Sequence, residues 1–279
     1  MPDLYAELLP MRIRRLLILA GAALLAAGCQ TVQTTQPGAV GVDRKQHMLV
    51  SEDEIEKGSL QAYQQELQKA KDKRALNTDQ QVYQRVQNIA RRLIPQTGTF
   101  RPDAPQWKWE VNVETTDDVN AYCMPGGKIM VYTGLIQKLQ ATDAELAAVL
   151  GHEIAHALRE HSRERISRAY AEQVALAGIA LVTGASDTTM QLASQVSAVT
   201  FQLPHSREQE AEADRIGLEL MARAGYDPNA AVALWQKMGK LAQGGPPEFL
   251  STHPSGESRI HDLQAAVPRV LPLYQAAKK

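Results

Sequence analysis

Cysteine is nearly absent from this chain. Its 279 residues hold only Cys29 and Cys123, which excludes a small scaffold stapled by disulfides. Aromatic residues are scarce at 5%, with three phenylalanines, so a core must be built mainly from aliphatic side chains. Neither sign of charge is in excess, with 30 basic against 31 acidic residues. That balance removes the electrostatic argument for a nucleic-acid partner. A bilayer-spanning helix needs about twenty apolar residues, and the apolar runs at 16–27 and 174–185 are both too short. What remains is an ordinary globular composition, 44% hydrophobic and 22% charged, in a chain long enough to bury a sizeable core.

The N-terminus reads as a targeting segment. Arg12, Arg14 and Arg15 precede the apolar run at 16–27, and Gly28-Cys29 follows it. Residues 1–28 are therefore expected to be a signal peptide. Met11 is the better start than Met1, because two acids lie ahead of the basic cluster. Loss of this segment removes three arginines and two acids, leaving 27 basic against 29 acidic residues. The run Leu25-Ala-Ala-Gly-Cys29 resembles a bacterial lipoprotein signal, in which the cysteine is acylated and becomes the new N-terminus. Ala26 departs from that pattern, which has Leu three places before the cysteine. An ordinary cleaved signal, releasing a soluble periplasmic protein, is the alternative. By resemblance to sorted bacterial lipoproteins, Gln30 implies the outer membrane. Several acyl chains on Cys29 would anchor the chain stably, where a single one binds only marginally. Lipidation would leave Cys123 unpaired, either as a buried small hydrophobe or as an exposed thiol. Residues 30–42, rich in Thr, Gln and Gly, read as part of a flexible tether, so the expected domain limits are 29–47 for the lipidated cysteine and tether and 48–279 for the folded domain.

Along that domain, Ser51 with Glu54 and Thr78 with Gln81 form capping-box signatures, each heading a helix. Residues 107–114 alternate in polarity and predict a half-buried strand. The segment 120–127 is turn-rich, with Pro125-Gly126-Gly127 shaping the turn, and 128–133 reads as a second strand and short hairpin partner. Thr142 with Glu145 caps a further helix. Helices are also predicted at 174–185, 206–224, 229–241 and 257–266, with a break at Gly244-Gly-Pro-Pro247. Trp107 and Trp109, at alternating strand positions, are expected as core and rim.

The most informative segment is His152-Glu-Ile-Ala-His156. Four residues on a helix turn through about 400°, so both imidazoles leave one face and can hold one Zn²⁺. Glu153, about 100° round, stands where it can take a proton from an activated water. A catalytic zinc wants three protein ligands and an open position. His161, five residues on and about 140° away, cannot be the third from the same helix. The acids of Arg207-Glu-Gln-Glu-Ala-Glu-Ala-Asp214 are the candidates. Spacing leaves Glu208 with Glu212 as good a pair as Glu210 with Asp214, although a solvated helix start accounts well for Glu208 and Glu212. His253 has three readings: a fourth ligand that blocks the water site, a donor to the transition-state oxyanion, or a surface histidine. Arg259 has two, oxyanion stabiliser or partner of an acid on the zinc helix. His47, His205 and His261 read as ordinary.

His-Glu-x-x-His on one helix with Glu-x-x-x-Asp on a later one is similar to the gluzincin metallopeptidases. Glu-Ala-Glu-Ala-Asp-Arg-Ile-Gly resembles their CAAX-prenyl-protease and HtpX-type branch. So do Asn120-Ala-Tyr, Pro125-Gly-Gly, Gly225-Tyr-Asp-Pro, Thr252-His-Pro and Arg259-Ile. The resemblance covers about residue 51 to the C-terminus. It implies Glu210 as third ligand of one Zn²⁺ per chain, and Asp214 as a hydrogen-bond partner that fixes a ligand histidine. It also implies Asn120 and Ala121 as an edge-strand segment gripping a peptide. The expectation is an α+β, mostly helical zincin domain with a small antiparallel sheet beside the active-site helix. Its activity would be hydrolysis of unfolded or misassembled cell-envelope proteins, with Glu153 as general base. Partners would be such polypeptides, the membrane through Cys29, and the outer-membrane assembly machinery. The alternatives are a non-enzymatic envelope chaperone and a lipoprotein scaffold for outer-membrane assembly.

Overall fold

The computed structural model describes residues 30–177, 188–242, 247–254 and 256–278. The expected signal segment, Cys29, most of the apolar run at 174–185 and most of the Gly-Gly-Pro-Pro break lie outside them. No helix among the described residues is long and apolar enough to cross a membrane.

The fold is organised by the helix that carries the pentad. Thr142 and Glu145 make both bonds of their capping box and start α4, Asp143–Leu158. Every residue of α4 from Glu145 onward is buried. The sequence explains this, because small and aliphatic residues occupy the whole circumference rather than one stripe. Packed against α4 are α2 (Gln80–Leu93), α7 (Arg207–Arg223), α8 (Asn229–Leu241) and strand β4 (Ala121–Met124). Helix α1 (Glu52–Asp72) packs with α6 (Thr188–Phe201), and α10 (Glu257–Ala277) lies on α7 and α8. Shorter helices are α3 (Thr133–Lys138) and α9 (Glu248–Thr252), while α5 (His161–Ala177) follows α4 directly.

The crossing of α4 and α7 is a contact of two backbones. A Cβ placed on Gly217 would lie 2.7 Å from the His152 nitrogen and 2.8 Å from the Gly151 carbonyl carbon. Glycine at both positions lets the helix bearing His152 approach the helix bearing Glu210. Gly217→Ala is expected to cost about 1–3 kcal/mol and to weaken metal binding, measured by thermal melting and zinc titration. An unchanged melt would contradict this account of the crossing.

The sheet differs from expectation. Strand β3 (Glu110–Glu114) runs parallel to β5 (Lys128–Tyr132), and β4 pairs antiparallel with β5, giving the order β3-β5-β4. The sheet is therefore mixed, and the hairpin partner of β5 is β4, inside the segment expected to be a turn. The turn itself is Pro125-Gly126-Gly127, whose glycines adopt φ of +76° and +77°. That left-handed conformation suits glycine, and a Cβ on Gly127 would sit 2.6 Å from the Trp109 ring. Trp107 and Trp109 stack on each other, both half-buried.

Two helix ends also depart from the expected signals. Asp79, not Thr78, caps α2, because its carboxylate accepts from the amides of Gln81 and Val82 while Thr78 bonds Thr115. Helix α10 continues past Ala266 through Pro268 and Pro272. Burial of Val267 and Val270 on the core offsets the backbone bonds these prolines remove.

The expected tether is docked. Strand β1 (Gln30–Val32) pairs antiparallel with β2 (Gln46–Met48), and Thr35, Val40, Val42, Gln46 and Met48 are buried. The Gln36 amide donates to the Phe100 carbonyl and the Val40 amide to the Glu219 carboxylate, at 2.8 and 3.1 Å. Composition suggested a free linker; apolar Val40, Val42 and Met48, spaced along it, instead hold it against the domain.

Candidate metal centre

Three separate pieces of chain meet at one point. Helix α4 supplies His152, Glu153 and His156, helix α7 supplies Glu210 and Asp214, and the residue after α9 is His253. His152, Glu153, His156, Glu210 and His253 are each 5% exposed or less. The Nε2 atoms of His152 and His156 are 3.1 Å apart. Glu210 approaches them at 3.5 and 3.3 Å. His253 Nδ1 lies 3.2 Å from His152 Nε2 and 3.0 Å from Glu210 Oε1.

These separations test whether a metal fits. A tetrahedral cation held at about 2.0–2.1 Å from nitrogen and oxygen has ligand–ligand edges of about 3.3–3.4 Å. The five distances, 3.0 to 3.5 Å, match that figure. Electrostatics agree. Burial opposes a charge on His152, but Glu210 and Asp214 outweigh it and raise the imidazole to about 9. Burial opposes the Glu210 carboxylate as well, yet His253, His152 and Arg259 hold it well below the usual range. His156, beside His152, is instead held well below its ordinary value by burial, which keeps that ring neutral, the form that binds a metal. The candidate acids are sorted by position: Glu210 faces His152 and His156, Glu212 faces His161, and Glu208 is exposed.

Asp214 Oδ1 stands 3.0 Å from the far nitrogen of His152. Arg259, at the start of α10, donates two bonds to Asp214 at 2.6 and 2.7 Å and lies 2.6 Å from Glu210. Of the two readings of Arg259, the structure therefore displays the acid pairing, to acids of α7 rather than α4. Glu153 Oε1 has no hydrogen-bond partner among the described residues, with His253 Nε2 3.5 Å away. Burial raises the Glu153 carboxyl above its ordinary value. Cys123 is buried on β4, so of its two readings the small hydrophobe holds; burial raises its thiol, and the Glu153 charge adds to that. Asn120 and Ala121 lead into β4, an edge strand of the sheet, but both are buried, and the Asn120 oxygen accepts from the Ala121 amide.

Sequence reasoning missed three residues here. Glu212, read as solvated, is buried and accepts from His161, Arg159 and Arg44. His161 was set aside by helical angle, but α4 ends at Leu158 and Glu160 turns the chain at φ +52°. A new helix then begins, and His161 Nδ1 returns to within 2.8 Å of His156 Nδ1. His205, read as ordinary, stacks on His253 and lies tilted beside His156, with centroids 4.9 and 4.0 Å away. No local pattern marks His205, because only the packing of α7 against α4 brings it there.

A buried His-Glu-x-x-His helix, joined by a carboxylate from a second helix, defines a zincin-type metallopeptidase domain. Residues 80–267 match the model for Peptidase family M48, and the chain belongs to that family. It is similar to the mitochondrial metalloendopeptidase OMA1 of Arabidopsis thaliana, 44% identical over 158 residues, which are 57% of this chain and 31% of that protein. OMA1 of Schizosaccharomyces pombe is 38% identical over 187 residues, 66% of this chain and 52% of the relative. The β-barrel assembly-enhancing protease of Escherichia coli is 30% identical over 170 residues, 56% of this chain and 34% of the relative. The matched segments thus span between about a third and about half of these relatives. The fold is α+β and mostly helical, and the domain is that of a metallopeptidase.

Proposed function

We propose that this protein is a zinc metalloendopeptidase, one zinc per chain, that cleaves unfolded or misassembled proteins of a bacterial envelope. Cys29 carries the lipid that holds it at the periplasmic face of the outer membrane, after removal of residues 1–28. The observation that carries the catalytic reading is the set of donor separations near 3.3 Å around His152, His156 and Glu210. Two things support the envelope reading: the basic and apolar N-terminal segment ending at Cys29, and the similarity to the β-barrel assembly-enhancing protease of E. coli.

His152, His156 and Glu210 hold the metal, and Asp214 keeps the proton of His152 on Nδ1 so that Nε2 faces the cation. Bound zinc supplies Lewis acidity, acidifying water and polarising the scissile carbonyl. Glu153 takes the water's proton and hands it to the leaving amine. His253, whose Nδ1 lies 3.2 Å from His152 Nε2 and 3.0 Å from Glu210 Oε1, would be a further donor to the metal at rest, and Arg259 serves to balance Glu210 and Asp214. Asn120 and Ala121 receive the peptide along the edge of β4, which requires the elements covering that edge to part.

Metal removal tests this directly. Purified protein is expected to contain one zinc per chain, to cleave unfolded casein, to lose cleavage with 1,10-phenanthroline, and to regain it with added zinc. Cleavage that survives full zinc removal would end the zinc reading. A folded, zinc-loaded protein that cleaves no unfolded polypeptide would favour the chaperone or scaffold instead.

A further inference from the structure

A continuous chain of hydrogen bonds runs from the candidate metal ligand His156 to the N-terminal segment, outside residues 80–267. His156 Nδ1 meets His161 Nδ1 at 2.8 Å, and His161 Nε2 meets Glu212 Oε2 at 3.0 Å. Glu212 in turn accepts from Arg44 at 2.7 and 3.1 Å and from Arg159 at 3.1 Å. Arg44 also holds Glu164 through two bonds, at 2.5 and 2.9 Å. His161, Glu212 and Arg159 are buried.

The protons in this chain are determined by its ends. A metal on His156 Nε2 leaves the proton on Nδ1, which must donate to His161 Nδ1. His161 is then the tautomer with its proton on Nε2, and that proton goes to Glu212. Glu212 keeps its orientation because Arg44 and Arg159 grip it from the other side. We propose that His161 and Arg44 are positioning residues for the His156 imidazole, so that the docked segment at 30–48 is a working part of the metal centre. This rests on His156 binding zinc through Nε2. Arg44 is the member of the chain whose donors reach both Glu212 and Glu164. Without it Glu164 keeps its bonds from Gln46 and Gln209, but Glu212 loses two of its donors and is held opposite His161 by Arg159 alone.

The test uses the full chain and zinc itself. The zinc dissociation constant is measured by competition with a chromophoric chelator, and the ligand field is read from visible absorption of the Co²⁺-loaded protein. Circular dichroism and metal-free melting confirm that each variant is folded at the temperature used. His161→Phe is expected to weaken zinc by about 10–100-fold, the usual penalty for losing a partner of a metal-bound histidine. His161→Gln, which can both accept and donate, should recover part of that loss. Arg44→Gln, one bond further out, should weaken zinc by about three- to tenfold and shift the Co²⁺ spectrum the same way. The double variant Arg44→Gln with His161→Phe should bind no more weakly than His161→Phe alone, since Arg44 then has nothing to act through. A merely structural Arg44 would lower metal-free melting, leave affinity unchanged and multiply with His161→Phe, and that pattern overturns the proposal. Should Arg44→Gln fail to fold, Arg44→Lys keeps the charge without the fork. Its unchanged zinc affinity would equally overturn the proposal, and weakened affinity would support it. If the wild-type protein takes up no zinc, the metal reading itself falls. If it takes up zinc and the Arg44 variants bind as tightly, only the positioning role falls.

Discussion

Glu153→Gln is expected to leave a folded, zinc-loaded protein whose cleavage of unfolded casein is slower by at least about 10²–10⁴-fold, the range a general base contributes. The substitution keeps shape and removes the ability to take a proton. Glu153 is not among the four donors clustered at the metal position, namely His152, His156, Glu210 and His253, so zinc content should not change. Nor should the fold suffer. Burial raises the Glu153 carboxyl, and its Oε1 lacks a hydrogen-bond partner among the described residues. A neutral amide there removes a buried charge at little cost, and the melting temperature should hold or rise. Zinc stoichiometry, melting and a gel-based cleavage assay on one sample decide the matter. Wild-type cleavage by the zinc-loaded variant would remove Glu153 from the proton-transfer role.

The sequence made the ligand-bearing part of the site legible for a physical reason. A metal grip on one helix face requires fixed spacing, and His152 with His156 has it; the Thr142 cap then locates the start of that helix. Glu210 was reached only through resemblance, since spacing could not separate it from Glu208 or Glu212. Burial separates it from Glu208, and partners separate it from Glu212, which is buried against His161, Arg159 and Arg44; both depend on how α7 lies across α4, which the small side of Gly217 permits. The same limit hid the relay behind His156. His161 sits on a new helix after a left-handed residue at Glu160, so extrapolating the angle of α4 places it wrongly. Arg44 lies more than a hundred residues from Glu164 and Glu212, in the segment 29–47 expected to be a flexible tether. The sheet failed for a related reason. Alternation at 107–114 identified a strand, but parallel or antiparallel pairing is decided by where the chain passes between strands, and β5 lies between β3 and β4.

Arg259→Met is expected to be the most destabilising single change at the site. Its guanidinium is buried, forks onto Asp214 at 2.6 and 2.7 Å, reaches Glu210 at 2.6 Å and lies 3.7 Å above the centre of the Trp235 ring. Methionine fills much of the volume and keeps the contact with Trp235, so the loss is chiefly electrostatic. Two carboxylates are then left buried without their cation, which costs about 3–5 kcal/mol in comparable pairs. At about 2–4 °C per kcal/mol for a domain of this size, the metal-free melting temperature should fall by about 6–20 °C. Zinc should restore part of that, because a divalent cation beside Glu210 supplies positive charge where the guanidinium stood. Arg259→Lys should lie between the two, since an ammonium keeps the charge but cannot fork onto Asp214 while reaching Glu210. A metal-free melt within about 2 °C of wild type for Arg259→Met would mean that these acids are balanced by something other than Arg259. Equal melting of the Lys and Met variants would mean that the fork, and not the charge, is what the site requires.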